Sequence, residues 1–203
     1  RAVAASESIS LINNSSNLGF VGSVNRGIAI AAGDVILLNA DTEVHPGWVE
    51  ALAEAASAND RVGIVCPLSD NATILSLFPH GFLQRGIPSD LTESASLLSK
   101  LATADLAYPI PTAVGFCMYI RRALIERIGT FDEIFGTGYG EENDFSMRTW
   151  RAGFSILCQP GALVRHTGGA SFKEAPLLAL QKQRNTRILE ARWPQYSSWI
   201  RAF

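Results

Sequence analysis

Apolar residues in the front half of the chain fall into short unbroken runs separated by stretches in which they recur every three or four positions. Residues 8–12 read as a short strand, 13–17 as a polar turn, and 21–32 as a helix that Gly33 is placed to stop. Val35–Leu38 is a continuous apolar run, the pattern of a strand buried on both faces in the middle of a parallel sheet. Pro46 sits where the first turn of a helix begins, and Trp48, Val49, Leu52 and Ala56 follow at helical spacing until Asn59 and Asp60 break it. Residues 62–66 are the next buried run. Strand, helix, strand, helix, strand predicts an α/β sheet with right-handed crossovers.

The pattern loosens over 67–111, where Pro79, Gly81, Gly86 and Pro88 punctuate a loop, 91–101 has helical composition and 108–111 is extended. This stretch reads as a long insertion over one face, of the kind that often carries function. Order resumes with a strand over 114–120, a helix over Arg122–Ile128 ended by Gly129, a helix over 141–152 ended by Gly153, and strands over 154–158 and 162–164. Residues 177–192 have a helical pattern. After them come Trp193, Tyr196, Trp199, Ile200 and Phe203 beside Arg192 and Arg201, an aromatic and basic tail that suits either a membrane interface or the edge of its own domain.

Composition narrows the class. A chain of 203 residues, 47% hydrophobic and 18% charged, can bury a sizeable core, which predicts one domain with a C-terminal appendage. The net charge of -2 offers no field for nucleic acid. Cys66, Cys117 and Cys158 are odd in number and lie in apolar runs, so they read as buried free thiols of a reducing, cytoplasmic compartment. No run approaches the roughly 20 apolar residues that span a bilayer, which leaves only a peripheral association.

Three separated groups could carry chemistry. Asn39 and Asp41 follow an apparent strand directly, where ligands of open α/β sheets bind; a carboxylate there can hold a divalent cation on a diphosphate, or simply cap the next helix. Glu133, Glu141, Glu142 and Asp144 lie within twelve residues beside a glycine-rich turn. Acids in a first helical turn complement the helix dipole, but so many together raise one another's pKa and suit one of them to general-base work. His166 ends a strand before Thr167-Gly168-Gly169, in place either as a metal ligand or as a structural histidine. His45 and His80 have no such setting.

Ordered motifs then coincide. Asn17-Leu-Gly19-Phe20, Asn25-Arg26-Gly27, Gly33-Asp34, Leu38-Asn39-Ala-Asp41-Thr42 and Pro46-Gly47-Trp48 are followed by Gly115-Phe-Cys-Met118, Phe131-Asp132-Glu133, Gly140-Glu141-Glu142-Asn-Asp144 and His166-Thr-Gly168. Over about 8–172 the chain resembles family 2 glycosyltransferases, the rhamnosyltransferase-like and galactofuranosyltransferase-like members above all. The resemblance implies a GT-A fold, a mixed and mostly parallel sheet flanked by helices, over 1–174, with 175–203 a C-terminal helix and aromatic tail packing on it. It also implies that the family's first nucleotide-binding strand lies upstream of this chain.

By the same resemblance Asp41 and His166 are the metal ligands, for Mn²⁺ or Mg²⁺, with Asn39 replacing the first acid of the family's Asp-x-Asp motif. Asn17, Asn25, Asn39 and Asp41 bind the donor diphosphate. Glu142 is the catalytic base, where the family usually has Asp, and Glu141 and Asp144 bind the acceptor. The implied activity is inverting transfer of a sugar from a UDP- or dTDP-sugar to a glycan or lipid-linked glycan in cell-surface polysaccharide synthesis. The competing reading is a non-catalytic binding or scaffolding domain of the same fold. A dinucleotide-binding reading of Gly136-Thr-Gly138-Tyr-Gly140 fails, because no strand precedes it and the glycine spacing is wrong.

Overall fold

The structure is a computed structural model describing residues 9–77, 104–167 and 175–203. The expected helix over 91–101 and most of the expected insertion lie outside them. Six strands form one sheet among the described residues: β1 (Val35–Leu38), β2 (Thr42–Val44), β3 (Val62–Ser69), β4 (Tyr108–Pro109), β5 (Cys117–Ile120) and β6 (Ser155–His166). Their order is β1-β5-β3-β6-β2, with β4 also paired to β6.

Alternation along the central strands builds two cores. On β5, Met118 and Ile120 face one side and Cys117 and Tyr119 the other; on β6, Ile156 and Cys158 face the first side and Ala162 and Val164 the second. The first side packs α1 (Gly19–Ile30), α3 (Arg122–Ile128) and α4 (Glu141–Arg151) around the fully buried Phe135 and Phe145. The second packs α2 (Trp48–Ser57) through Leu52, Ala55 and Ala56. The three cysteines are free and buried, and burial pushes the Cys66 thiol up to about 12, so it carries no thiolate near neutrality.

The sheet is mixed, but its pairing differs from the expectation. β3 and β6 form the one parallel pair among the described residues, and β1–β5, β3–β5, β2–β6 and β4–β6 are antiparallel. β1 is an edge strand there, half-buried rather than central, with Leu38 exposed. A continuous apolar run cannot separate a central strand from an edge strand covered by helices. Since β5 runs opposite to both neighbours, β1, β3 and β6 still point the same way, and their carboxyl ends share one rim.

Other departures are local. Residues 9–12 form no strand and leave Ile9, Leu11 and Ile12 exposed. Helix α1 begins at Gly19 and ends at Ile30, ahead of Gly33. The two strands expected over 154–158 and 162–164 are one strand, β6, with a register shift opposite Pro67 and Leu68 that absorbs the turn-like Pro160-Gly161.

Two further helices complete the chain, α5 (Ala175–Arg192) and α6 (Tyr196–Ala202). Trp199 of α6 meets Trp150 of α4 edge-on at 6.3 Å, so part of the aromatic tail packs on its own domain. Among the described residues no helix is long and apolar enough to cross a membrane.

Asn25 of α1, expected at the donor site, has its side chain spent on tying α1 to the loop after α3. Its Nδ2 donates to the Phe131 carbonyl at 2.9 Å and its Oδ1 accepts from the Phe131 N–H at 3.0 Å. Asn25→Ala leaves both backbone groups without that partner and is expected to destabilise the fold by about 1–3 kcal/mol, read as a lower denaturant midpoint with an unchanged m value.

Candidate active site

The rim formed by the carboxyl ends of β1, β3 and β6 is where an open α/β sheet binds ligands. Beyond β1, the Asn39 N–H donates to the Phe116 carbonyl at 2.9 Å and the Thr42 hydroxyl donates to the Asn39 carbonyl at 2.6 Å, turning the chain into β2. β2 then pairs with β6 in a register that sets Thr42 opposite His166. Asp41 and His166, remote in sequence, meet: Asp41 Oδ1 lies 3.5 Å from His166 Nε2.

The imidazole is held on three sides. Its Nδ1 lies 3.0 Å from the Asn71 carbonyl, its ring stacks on Phe116 at 5.2 Å, and its backbone N–H donates to Asp70 Oδ1 at 2.8 Å. A carbonyl can only accept, so Nδ1 carries a proton and donates, and in the neutral ring this leaves the Nε2 lone pair facing Asp41. A neutral imidazole facing a carboxylate with no proton between them is a poor contact by itself and a good one across a cation. That donor set fits Mn²⁺ or Mg²⁺, with the nitrogen ligand favouring Mn²⁺. Among the described residues no cluster of three or more His, Cys, Asp or Glu forms.

The acidic group assembles beside this pair through two consecutive residues. Phe116 touches His166 and Asn39; at Gly115 a Cβ would lie 3.9 Å from the Glu142 side chain. The segment leading to them runs along α4, with the Thr112 hydroxyl bonded to Asn143 Oδ1 at 3.1 Å and the Ala113 N–H to Ser146 Oγ at 2.9 Å.

Glu141 and Glu142 open α4 after a backbone run with φ of 62° at Gly136, 132° at Gly138, 70° at Tyr139 and 99° at Gly140. Glu142 Oε2 accepts from the Gly140 N–H at 3.1 Å, while Glu141 Oε2 is buried with no hydrogen-bond partner among the described residues. Burial, then the adjacent Glu142 charge, raises the Glu141 carboxyl well above its ordinary value. Burial raises Glu142 as well, against the pull of surrounding N–H groups. Two carboxyls placed this way hold one proton between them, and the ionised member is a stronger base than a solvated glutamate.

Asp144 has a different role from the expected one. Its side chain is fully buried and its acceptors are filled: Arg148 Nε at 2.8 Å, Trp193 Nε1 at 2.9 Å and Arg192 Nη1 at 3.2 Å. It joins α4 to the end of α5. Asn17 is exposed, and its Oδ1 accepts from the Gly19 N–H at 2.9 Å, starting α1. The rim thus brings together Asn39, Asp41, His166, Glu141 and Glu142, and leaves out Asn17, Asn25 and Asp144.

Sequence reading missed Asp70, Asn71 and Phe116, which orient the histidine. The polar run Ser69-Asp70-Asn71 at the end of an apolar strand was the available signal, hidden by its assignment to an insertion. Tyr196 of α6 was missed as well. It is half-buried near Thr112 and Glu142, and burial raises its phenol to about 12.

A mixed sheet covered by helices on both faces, with a carboxylate–imidazole pair on one rim, is the architecture of the GT-A fold. Comparison with solved structures agrees. GalNAc-T7 with UDP, GalNAc and Mn²⁺ superposes with a TM-score of 0.63 at 21% identity, over 95% of this chain and 39% of that one. The mannosyltransferase PcManGT from Pyrobaculum calidifontis, in complex with GDP-Man and Mn²⁺, does so with a TM-score of 0.51 at 17% identity, over 96% and 56%.

The chain belongs to glycosyl transferase family 2, whose family model matches residues 1–129 and so ends before the acidic pair and His166. Among curated relatives, human polypeptide N-acetylgalactosaminyltransferase 15 is 27% identical over 94% of this chain, which spans only 31% of that protein. The N-acetylglucosaminyl-diphospho-decaprenol L-rhamnosyltransferase of Mycobacterium tuberculosis is 29% identical over 99% of this chain and 72% of its own length.

Asp144→Ala removes the acceptor of Arg148 Nε and Trp193 Nε1, while Arg148 keeps the Ile128 and Thr130 carbonyls and the exposed Arg192 keeps Asp132. The variant is expected to lose about 1–3 kcal/mol of stability, measured by chemical denaturation.

Proposed function

We propose that this chain is the catalytic domain of an inverting glycosyltransferase that uses a divalent cation to move a sugar from a UDP- or dTDP-sugar to a hydroxyl of a glycan or lipid-linked glycan. The observation that carries this reading is the rim itself, where the Asp41–His166 pair lies one residue step, Gly115 to Phe116, from a carboxylate of raised basicity. The rhamnosyltransferase alignment supports the choice of acceptor, because it spans most of both chains rather than a fraction of a much longer one.

Asp41 and His166 would hold Mn²⁺ or Mg²⁺, with Asn39 beside them facing the diphosphate. When bound, the cation neutralises charge on the departing nucleoside diphosphate. Asn71, Asp70 and Phe116 keep the imidazole in the tautomer that offers Nε2 outward, so binding needs no reorientation. Glu142 takes the proton of the acceptor hydroxyl as that oxygen attacks the anomeric carbon on the face opposite the leaving group, which inverts the centre in one displacement. Glu141, with a buried oxygen lacking a partner, lies beside the acceptor and keeps the proton of the pair throughout, so that Glu142 alone gains a proton in the step. Synthesis of cell-surface polysaccharide at the cytoplasmic face of the membrane is the setting that suits a lipid-linked acceptor.

Glu142→Gln keeps the shape and removes the base; kcat is expected to fall about 10²–10⁴-fold with donor binding retained. Near-full turnover by that variant overturns the assignment, and no turnover by the unaltered chain with any donor favours a binding role. In the active protein kcat/KM rises with pH as the base ionises. Because burial raises that carboxyl above its ordinary 4.5, the midpoint of the acid limb is expected above that value. Calorimetric titration with UDP and with dTDP, each with Mn²⁺ and again with chelator, tests the metal pair: binding is expected to need metal and to weaken at least tenfold in Asp41→Ala.

A further inference from the structure

We propose that Asn185 of α5 is a positioning residue for the Glu141–Glu142 pair, so that the C-terminal helix is a working part of the active site. The proposal rests on the catalytic reading above for its consequence in turnover, and on geometry alone for its consequence in the loop.

Left-handed backbone at Gly138, Tyr139 and Gly140 delivers the two acids, and Tyr139 is the one non-glycine with positive φ among the described residues, at 70°. Such a residue is strained and persists only where its surroundings hold it. One buried carboxamide takes much of that task. Asn185 is 1% exposed, and its Nδ2 donates to the carbonyls of Phe135 at 2.9 Å, Gly138 at 3.0 Å and Tyr139 at 2.8 Å. Its Oδ1 is oriented by Arg184 Nη1 at 2.9 Å.

One helical turn earlier, Gln181 repeats the contact: Nε2 donates to the Gly138 carbonyl at 2.8 Å, and Oε1 accepts from the Thr137 hydroxyl at 2.6 Å. The Lys182 ammonium lies 4.1 Å from the centre of the Tyr139 ring. A Cβ at Gly140 would meet the Phe135 ring at 3.3 Å and Asn185 Cβ at 3.7 Å, so Gly140 is pressed between them. Gly140 is also the N-cap of α4 and donates its N–H to Glu142 Oε2. A displacement of Gly140 therefore moves both carboxylates.

The inward stripe of α5 is divided along its length. Ile188 and Leu189 supply apolar contact, while Gln181 and Asn185, at the same helical phase, are polar and spend their hydrogen bonds on the loop. Apolar packing would dock a helix without selecting a backbone conformation. Amide donors aimed at the carbonyls of Phe135, Gly138 and Tyr139 select one.

The test compares Asn185→Ala with the unaltered full chain. Donor·Mn²⁺ binding is expected within about threefold of the unaltered protein, because Asp41 and His166 lie on β-strand termini that α5 does not hold. The kcat is expected to fall on the order of 100-fold, the usual result of misplacing a reacting group by about 1 Å. The midpoint of the acid limb is expected to move toward the ordinary carboxylate range as the loosened loop admits water. Loss of fold alone would lower binding and turnover together and leave that midpoint in place.

Should Asn185→Ala fail to fold, Gln181→Ala removes one donor to the same loop, and a loss of about tenfold in kcat with the same pH shift is expected. Carbon-13 titration of the glutamate carboxyls and hydrogen exchange at the Gly140 amide need no turnover: both are expected to change in either variant. If the unaltered chain transfers no sugar, the catalytic reading fails while these measurements still decide the positioning. Unchanged carboxyl titration and exchange, with kcat within threefold, overturn the proposal.

Discussion

Because β3 and β6 pair in parallel, the polar ends Ser69-Asp70-Asn71 and Arg165-His166 leave the sheet side by side, and almost every contact of the rim follows from that register. Asp70 takes the His166 N–H, Asn71 takes Nδ1, and β2 folds back on the same stretch of β6 to bring Asp41 to the other ring nitrogen. A slip of one residue in β6 would turn His166 to the opposite face and bury it against the wrong layer. Backbone hydrogen bonding thus orients the imidazole before any ligand arrives, and a rigid ligand sacrifices little freedom on binding.

Opposite this rigid half stands a strained one. The acids sit on a left-handed glycine run and are buried beside each other, an arrangement that a fold selected only for stability would avoid. Both carboxyls are raised, so the folded chain holds its shared proton more tightly than the unfolded chain does. The stability from that proton is present below the ordinary carboxylate value of 4.5 and is lost as pH rises through the raised values. Asp144 next to them shows the other solution for a buried acid, with a strong donor on each face. Two acids three positions apart on one helix, Glu141 and Asp144, therefore serve opposite ends, one left short of partners and one saturated.

The C-terminal helices enlarge the picture of where a site ends. Arg192 and Trp193 lock α4 through Asp144, Asn185 and Gln181 grip the glycine run, and Tyr196 closes over Thr112. Gln181, Asn185, Arg192, Trp193 and Tyr196 belong to none of the ordered motifs that resemble the family, and all five lie beyond the part of the chain that the family model matches.

The sequence by itself marked most of the helices and the central strands, because apolar runs bounded by Gly and Pro stand out, and it singled out Asp41, Glu142 and His166 at element ends, where a cap and a ligand-binding group look alike. It could not determine strand direction or edge position, because an apolar run looks the same in a central strand and in a helix-covered edge such as β1. Nor could it separate Asp144 from Glu141, or Asn25 from Asn39. Each pair shares its side-chain chemistry, and only the partners brought from 131, 148, 192 and 193 decide which polar group is consumed and which remains for a ligand. Those partners are distant in the chain, and tertiary structure alone places them.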